Sequence, residues 1–296
     1  MRWICVILLF RSVLSVSHSP DENFNMRNSS LFEGDMILSK DQQERAEEEL
    51  DIDDSRHKRA TSRSRLWPRG VVKYKIDVNL GRKSRAMTAI KAAMAEWRTK
   101  TCIQFKKRTN EKAYVLFRYS NRFIWNQHND QLPVALLAQF VERHWFKSLG
   151  RRQEIFLGPR CWFKGTVVHE IGHAIGFYHE QSRPDRDSYI KIKYENIRSG
   201  AKKNFHKYRR STIDSLLTPY DYGSVMHYRS KAFSKNGKPT IIVKKHGVTI
   251  GQRRRLSPID ARQADLMYKA ECKRRAKVKG RGEKGKTNTK EKFSNS

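Results

Sequence analysis

The sequence predicts an α+β domain, because strand-like and helix-like segments occupy its first half and loops occupy most of its second half. Three segments have the apolar content or the alternation of β-strands: Val71–Val78, Ala113–Tyr119 and Gln153–Leu157. One helix is predicted where apolar residues recur at helical spacing, at Met87, Ile90, Met94 and Trp97. A second helix is predicted at 167–176, and the chain beyond Gly176 is predicted to be mostly loop and short helix.

The chain is long enough for one domain of ordinary size with a removable leader, or for two small domains. It has 296 residues, of which 38% are hydrophobic and 31% are charged, and its mean hydropathy is −0.79. No apolar run approaches the roughly 18–20 residues that a membrane-spanning helix needs. We therefore expect a core of normal size and no membrane span.

Residues 1–17 are predicted to be a signal peptide, which would make the protein a secreted, extracellular one. Arg2 provides a positive start, Ile4–Phe10 is an unbroken apolar stretch, and Ser15–Ser17 has the small-x-small pattern of a signal-peptidase site. Arg11 interrupts the apolar region, and a buried N-terminal strand is the alternative interpretation.

Residues 18–59 are predicted to be an acidic, weakly structured pro-segment. They carry 12 acidic and 6 basic side chains, a net charge of −6. The whole chain carries +32 and residues 1–17 contribute two arginines, so residues 60–296 carry a net charge of +36. Electrostatic pairing with the basic remainder of the chain and a simple solvated acidic run are both compatible with this pattern. Arg56–Arg59 forms a dibasic-type cleavage site before Ala60, and Asn28 begins a glycosylation sequon.

Residues 60–272 are predicted to form the folded domain, and residues 273–296 a disordered basic tail. The tail has 10 basic and 2 acidic side chains and no aliphatic stripe. It could simply increase solubility, or it could bind acidic polymers such as sulphated glycans. Nucleic-acid binding would depend on the net charge of +32 alone, because the sequence has no recognition motif, so we do not expect it.

A cluster of three histidines is the centre of the functional prediction. His169 and His173 are four residues apart, so a helix projects both from one face, where their nitrogens can reach one zinc ion at about 2.0–2.1 Å. Gly176 permits the positive φ that ends the helix, and His179 then supplies a third ligand. Glu170 is rotated out of the coordination shell, from where it can take a proton from a zinc-bound water.

The spacing HExxHxxGxxH, which runs from His169 to His179, is typical of the metzincin clan. Downstream, Ser224-Val225-Met226-His227-Tyr228 resembles the Met-turn of astacins, and Glu180 occupies the position that separates branches of the clan. Similarity extends over nearly all of residues 60–272, and Arg59–Arg63 looks closest to the tolloid (procollagen C-proteinase) branch. The chain therefore resembles the astacin family of zinc metalloendopeptidases.

This resemblance implies a two-lobed fold, with a twisted sheet and the zinc helix in the N-terminal lobe and a loop-rich C-terminal lobe. It implies one zinc ion per chain and hydrolysis of internal peptide bonds in protein or peptide substrates, with Glu170 as the base. Met226 would lie beneath the metal, and Tyr228 would be a further zinc ligand that swings away to stabilise the tetrahedral intermediate. The edge strand near Gln153–Leu157 would bind substrate in extended form.

The resemblance also implies how the enzyme is kept inactive and how it matures. Asp35 ends a Phe-Glu-Gly-Asp sequence similar to the astacin pro-segment motif, and its carboxylate would occupy the zinc, although an aspartate in a loop turn is the alternative. After cleavage, the new amino group of Ala60 would pair with Glu180. A long-range disulfide would join Cys102 to Cys272.

Two features depart from the family pattern. Residues 121–149 are unrelated to the family and longer than expected, so they are either an unusual insertion or a wrongly translated intron. They lack the cysteine that normally pairs with the position of Cys161, which would then remain a thiol. Only the basic tail follows the domain here, whereas tolloids carry interaction modules, so tolloid-type substrates are in doubt. The alternative function is a catalytically impaired basic protein that binds matrix or glycans.

Overall fold

The structure, a computed structural model, describes residues 66–119, 152–210 and 213–292, with side chains described as far as Val278. The predicted signal peptide, the pro-segment with Asn28 and Asp35, Ala60 and the atypical segment 121–149 lie outside the described residues, and the predictions about them stay predictions. Within the described part of the chain, no helix combines the length and the apolar character needed to cross a membrane.

Four parallel strands form the main sheet, in the order β2-β1-β3-β4. In chain order they are β1 (Val71–Ile76), β2 (Gln104–Lys107), β3 (Tyr114–Tyr119) and β4 (Arg152–Leu157). Three of them lie where the sequence predicts strands, whereas β2 was not predicted because it is short and half of its residues are lysines. The strand predicted near Gln153–Leu157 is β4, and it lies at one end of the described sheet.

Three helices precede the site or carry it: α1 (Val78–Gly81), α2 (Ser84–Lys100) and α3 (Lys164–Ala174). The Asp77 carboxylate accepts two of the free N–H groups of α1, which explains where that helix starts. Three residues of the predicted apolar face of α2 are buried, Ile90, Met94 and the fully enclosed Trp97, whereas Met87 is half-buried. The Trp97 indole donates to the carbonyl of Val168 at 3.1 Å, so α2 supports the middle of α3 directly.

Two hydrophobic clusters correspond to the two lobes of the fold. The first is formed by the main sheet, α2 and α3, and it extends to Met226. The second consists of residues from the C-terminal part: Ile190, Ile197, Ala201, Phe205, Tyr220, Tyr228, Ala232, Phe233 and Ile241. That part contains the antiparallel pair β5 (Ile190–Ile192) and β6 (Ile241–Val243), and otherwise loops and single turns of 3-10 helix before the last helix. The predicted α+β class with a loop-rich second lobe is confirmed.

The last helix, α4 (Pro258–Lys292), begins with a capping box. The Ser257 hydroxyl accepts the N–H of Asp260 at 2.8 Å, and the Asp260 carboxylate accepts the N–H of Ser257 at 2.9 Å. Pro258 occupies the first helical position, where its missing N–H has no cost. Further along, Tyr268 is fully buried and donates its hydroxyl to the carbonyl of Ile175 at 2.8 Å, which packs α4 against the end of α3.

The prediction of a disordered tail at 273–296 is wrong as far as Lys292, and α4 is a long helix in a region predicted to be mostly loop and short helix. The helix has 35 residues and continues through the basic segment to Lys292. Lysine, arginine, glutamate and alanine have high helix propensity, so a helix that has started on a packed segment can extend into water without an apolar stripe. Residues 293–296 lie outside the described part of the chain.

The beginning and the end of the described domain are joined. Cys102, just before β2, forms a disulfide with Cys272 on α4, the pairing that the family resemblance implies. Beside it, the Arg69 N–H donates to Glu271 at 2.7 Å. The Arg275 guanidinium donates to the carbonyls of Arg69 and Cys102 at 2.8 and 2.6 Å. These contacts fix α4 against the entry to β1.

Candidate metal centre and active site

Helix α3 and the turn after it bring the three predicted zinc ligands together. His169 and His173 lie one turn apart on α3, and their Nε2 atoms are 3.1 Å apart. The helix ends at Ala174, and Gly176 adopts a φ of +109°, which lets the chain turn back so that His179 reaches the same point. One ligand atom from each histidine lies within 4.8 Å of the others, and all three side chains are at most 1% exposed.

Hydrogen bonds determine which nitrogen of the two helical histidines faces this point. His169 Nδ1 lies 2.8 Å from the carbonyl oxygen of Val225, and His173 Nδ1 lies 2.9 Å from that of Phe177. A carbonyl oxygen can only accept, so each Nδ1 carries a proton and donates it. Each Nε2 therefore keeps its lone pair for a metal, which is the arrangement that oriented histidine ligands use.

The chemistry and the spacing of these donors fit a zinc ion. Tetrahedral coordination at 2.0–2.1 Å places neighbouring nitrogens about 3.3 Å apart, close to the 3.1 Å between His169 and His173. The burial of the imidazoles excludes competing water from the donor atoms. Three neutral donors would leave the metal its full charge and one position open.

The predicted base lies on α3, and the predicted Met-turn packs against the same helix. Glu170 follows the first histidine on α3 and is 3% exposed. Met226 is 1% exposed and packs against Gly172, where an added Cβ would lie 2.7 Å from the Met226 sulfur. A glycine between the two helical histidines is therefore what allows the Met-turn to approach the helix so closely.

Tyr228, the further ligand that the resemblance implies, lies beside the third histidine. Its ring centroid is 4.5 Å from that of His179, and its side chain is 1% exposed. The main chain there is paired across two segments, because the Tyr228 N–H donates to Gln181 Oε1 at 2.9 Å and the Glu180 N–H donates to the Met226 carbonyl at 3.2 Å. The residues after His179 and the Met-turn thus form one unit.

A buried histidine that the sequence argument did not single out adjoins Tyr228. His227 is fully buried, its Nδ1 lies 2.8 Å from the Tyr228 carbonyl oxygen, and its Nε2 lies 2.7 Å from the Tyr220 hydroxyl. Burial lowers the pKa of His227 to about 4, so the imidazole is neutral at pH 7. Because the carbonyl only accepts, Nδ1 donates to it and Nε2 accepts the tyrosine proton.

Glu180 lies in a group of buried charges behind the metal centre. Its carboxylate accepts from Arg183 Nη1 at 3.0 Å and from the Asp221 N–H at 2.7 Å. Burial, with a smaller contribution from the nearby carboxylates of Asp260 and Asp221, raises the pKa of Glu180 to about 8, although the charge of Arg183 opposes this shift. Ala60, the partner expected for Glu180, lies outside the described residues.

Asp260 connects α4 to the metal centre, and sequence reasoning missed it. Besides capping the helix, its carboxylate accepts from the Ser224 hydroxyl at 2.6 Å and from the Val225 N–H at 3.0 Å. The carbonyl of Val225 in turn orients His169. Burial raises the pKa of Asp260 to about 6. The Ser-Pro-Ile-Asp sequence at 257–260 is a local signal for the helix start, but the contact with the Met-turn has no local signal.

Comparison with known families shows similarity over most of the chain. Residues 59–127 and 146–269 match the family model described as Astacin, which is a peptidase family. The gap between the two matched ranges falls inside the atypical segment 121–149. The matched ranges contain all three histidines, Glu170 and the Met-turn.

Curated relatives match the same region. Blastula protease 10 from Paracentrotus lividus is 40% identical over 250 residues, which cover 81% of this chain and 38% of the relative. Nematocyst expressed protein 6 from Nematostella vectensis is 37% identical over 248 residues, which cover 82% of this chain and 78% of the relative. Bone morphogenetic protein 1 from Xenopus laevis is 39% identical over 216 residues, 71% of this chain and 28% of the relative. The chain spans less than half the length of several relatives that it matches.

One solved structure is similar in fold as well as in sequence. High choriolytic enzyme 1, a hatching enzyme zinc-protease from Oryzias latipes (Medaka fish), superposes with a TM-score of 0.58 and is 31% identical. The match covers 72% of this chain and 98% of that protein.

Proposed function

Because this chain belongs to the astacin family of zinc metalloendopeptidases, we propose that it cleaves internal peptide bonds of extracellular proteins, using one zinc ion per chain. The observation that carries this proposal is the buried convergence of His169, His173 and His179 with Glu170 beside them. The same observation argues against a catalytically impaired binding protein, because a binding site has no need of a base next to the metal.

Each residue around the metal would have a separate task. A zinc ion held by the three histidines would supply a Lewis acid that polarises the scissile carbonyl and acidifies a water molecule. Glu170 would accept the proton of the attacking water and pass it to the leaving amine. Tyr228, which lies against His179, would donate a hydrogen bond to the oxyanion as it forms.

The substrate would bind as an extended strand. β4 lies at an end of the described sheet, so the main-chain groups on its outer edge could pair with a peptide that passes the metal centre. Strand pairing uses main-chain groups that every substrate has, so it would position many sequences equally well. We therefore propose protein and peptide substrates without assigning a sequence preference.

Maturation would place a new cation next to Glu180. Glu180, Asp221 and Asp260 are all at most 8% exposed, and Arg183 is the guanidinium bonded to Glu180 among the described residues. Three buried carboxyl groups beside a single guanidinium bonded to Glu180 favour a further cation, and the amino group of Ala60 would supply it.

A contact of Trp67, near the start of the described chain, supports this pairing. Trp67 donates its indole N–H to the carbonyl of Ala174, at the end of the zinc helix, at 2.8 Å. The few residues between Ala60 and Trp67 can span about 20 Å when extended.

We propose that the protein is secreted through its signal peptide and that Asp35 blocks the zinc until cleavage after Arg59.

Peptidase activity on a quenched peptide library tests this function. The chain trimmed to begin at Ala60 should cleave, whereas the untrimmed precursor should not. Removing zinc with a chelator should abolish cleavage, and Glu170→Ala should lower it at least about 100-fold, the smallest effect expected for loss of a general base. Glu195→Ala is the matched control, because Glu195 is exposed on a single turn of 3-10 helix. Folded, trimmed, zinc-loaded protein without activity would refute the proposal.

A second proposed property is binding of acidic glycans by the C-terminal part of α4. Lys273, Arg274 and Lys277 are exposed on this helix, and the helical backbone continues through further basic residues to Lys292. A helix presents the charges of Lys273, Arg274 and Lys277 as a fixed array, which suits a polyanion better than a disordered tail would.

Salt-dependent elution from immobilised heparin tests this property. The double variant Lys273→Glu/Lys277→Glu should elute at clearly lower salt than the wild type. The control Lys91→Glu/Arg98→Glu makes the same change of net charge on exposed positions of α2. Equal elution of the two variants would mean that net charge, and not the α4 surface, determines binding.

A further inference from the structure

We propose that Tyr220 and His227 are positioning residues that hold the main chain of Tyr228 and so aim its phenol at the metal centre. This inference rests on the proposed role of Tyr228 in stabilising the oxyanion. It adds two residues that do not touch the substrate or the metal but determine where the phenol can go.

The first observation is a continuous hydrogen-bonded chain that ends on the main chain of Tyr228. The Tyr220 hydroxyl donates to His227 Nε2 at 2.7 Å, and His227 Nδ1 donates to the Tyr228 carbonyl at 2.8 Å. On the other side, the Tyr228 N–H donates to Gln181 Oε1 at 2.9 Å. Both main-chain polar groups of Tyr228 therefore have a fixed partner, and movement of the phenol is left to side-chain rotation.

The second observation is that this chain is itself held rigidly. His227 also contributes its carbonyl, which accepts from Arg253 Nη1 at 3.0 Å. The ring of Tyr220 stacks on Tyr189, with centroids 4.6 Å apart and planes 10° apart, and the Arg183 guanidinium lies 5.5 Å from the Tyr220 ring. The hydroxyl that binds His227 thus cannot move without disturbing the packing around its ring.

The third observation is that packing alone gives no reason for this polar pair. Tyr220 belongs to the hydrophobic cluster of the second lobe, where phenylalanine would fill almost the same volume. A buried hydrogen-bonded pair contributes little net stability compared with an apolar replacement, but it specifies one geometry. The geometry specified here is that of the peptide unit that carries Tyr228.

The neighbouring tyrosine provides a matched control. Tyr222 belongs to the same aromatic group, with its ring centroid 5.2 Å from that of Tyr220. Its hydroxyl donates to the carbonyl of Tyr189 at 3.1 Å, and this bond lies outside the chain that ends on Tyr228. Tyr222→Phe therefore removes a hydroxyl and one hydrogen bond from the same cluster without interrupting the chain.

The experiment compares Tyr220→Phe, Tyr222→Phe and Tyr228→Phe in the trimmed full domain. Tyr220→Phe should lower kcat roughly tenfold with unchanged KM and zinc content, because a misplaced Tyr228 phenol would weaken a hydrogen bond that is made only in the transition state. Tyr222→Phe should change kcat by less than about twofold. Unfolding midpoints should fall by similar amounts in both variants. Equal kcat in these two variants would overturn the inference, because the effect would then be one of stability.

A spectroscopic measurement separates this inference from the proposed function. In protein loaded with Cu²⁺ in place of zinc, a phenolate on the metal gives a charge-transfer absorption, which Tyr228→Phe should remove. Tyr220→Phe should shift or weaken that absorption, and Tyr222→Phe should leave it unchanged. If the wild type has the absorption but no peptidase activity, the proposed function fails while the inference stands. An absorption unaffected by Tyr220→Phe, or absent from the wild type, overturns the inference.

Discussion

Asp260 should make the stability of this domain depend on pH in a direction opposite to that of most carboxylates. Its side chain is 1% exposed, and burial raises its pKa from 3.8 to about 6, although Ser224, Val225 and Ser257 all donate hydrogen bonds to it. A raised pKa means that folding favours the protonated carboxyl. The stabilising contribution is therefore complete below about pH 4 and is lost as the pH rises through 6.

The size of the effect follows from the two pKa values. The difference between 3.8 and about 6 corresponds to roughly 3 kcal/mol at 1.36 kcal/mol per pH unit. Integration over the titration gives a loss of about 1.3 kcal/mol between pH 5 and pH 7. Asp221 and Glu180 lie near Asp260, and the pKa of Glu180 is raised as well, so the comparison must be made between variants that retain both. Asp260→Asn removes the titrating group and keeps an acceptor for the surrounding donors.

Urea unfolding at pH 5 and pH 7 measures this difference. We would use Glu170→Ala as the background to prevent self-cleavage, and a chelator so that no variant contains bound metal. Between these pH values, the parent protein should lose about 1.3 kcal/mol more than Asp260→Asn. Asp265→Asn removes the same charge from an exposed position of α4 and serves as the control. If the parent and Asp260→Asn lose equal stability, the buried-carboxyl reasoning is wrong.

Two further perturbations test other parts of the structure. Replacing Cys102 and Cys272 with serine opens a loop of 170 residues and should lower the free energy of unfolding by about 4–5 kcal/mol. Urea unfolding against the oxidised parent measures this loss. An unchanged unfolding midpoint would mean that the other contacts of α4 hold it in place. Gly172→Ala places a Cβ 2.7 Å from the Met226 sulfur and should cost about 1–3 kcal/mol and lower the zinc content, whereas Gly81→Ala, with open space around its Cβ, should have neither effect.

The sequence was most informative where function depends on neighbours along the chain. The ligand arrangement follows from helical spacing between His169 and His173 and from a glycine that can adopt positive φ, so the triad could be predicted residue by residue. The three strands predicted around apolar segments are present because their side chains fill the first cluster. Ile90, Met94 and Trp97 of the predicted α2 face are buried for the same reason.

The parts that sequence could not supply depend on contacts between distant segments. Strand β2 is held by pairing with β1, in a register that sets Lys73 opposite Lys106, and no alternation in its own four residues indicates it. The extension of α4 follows from packing at Tyr268 and from the helix propensity of its charged residues. The glycines within the basic segment instead favour a disordered tail, which is what the sequence predicted. The bond between Asp260 and the Met-turn joins residues that no local pattern relates.

The contact between Arg69 at the entry to β1 and Glu271 on α4 makes this domain nearly circular in its connectivity. Because Arg69 and Glu271 are in contact, a segment cut at these two points begins and ends at one place and could be inserted into a surface loop of another protein without separating the flanking parts of its host. Its fold should also tolerate circular permutation, with a short linker between α4 and Arg69 and new ends in an exposed loop, but the permuted protein would lack the free amino group proposed to pair with Glu180. Tension applied at the two ends would act first on this contact, and the histidines at the centre would be shielded from it.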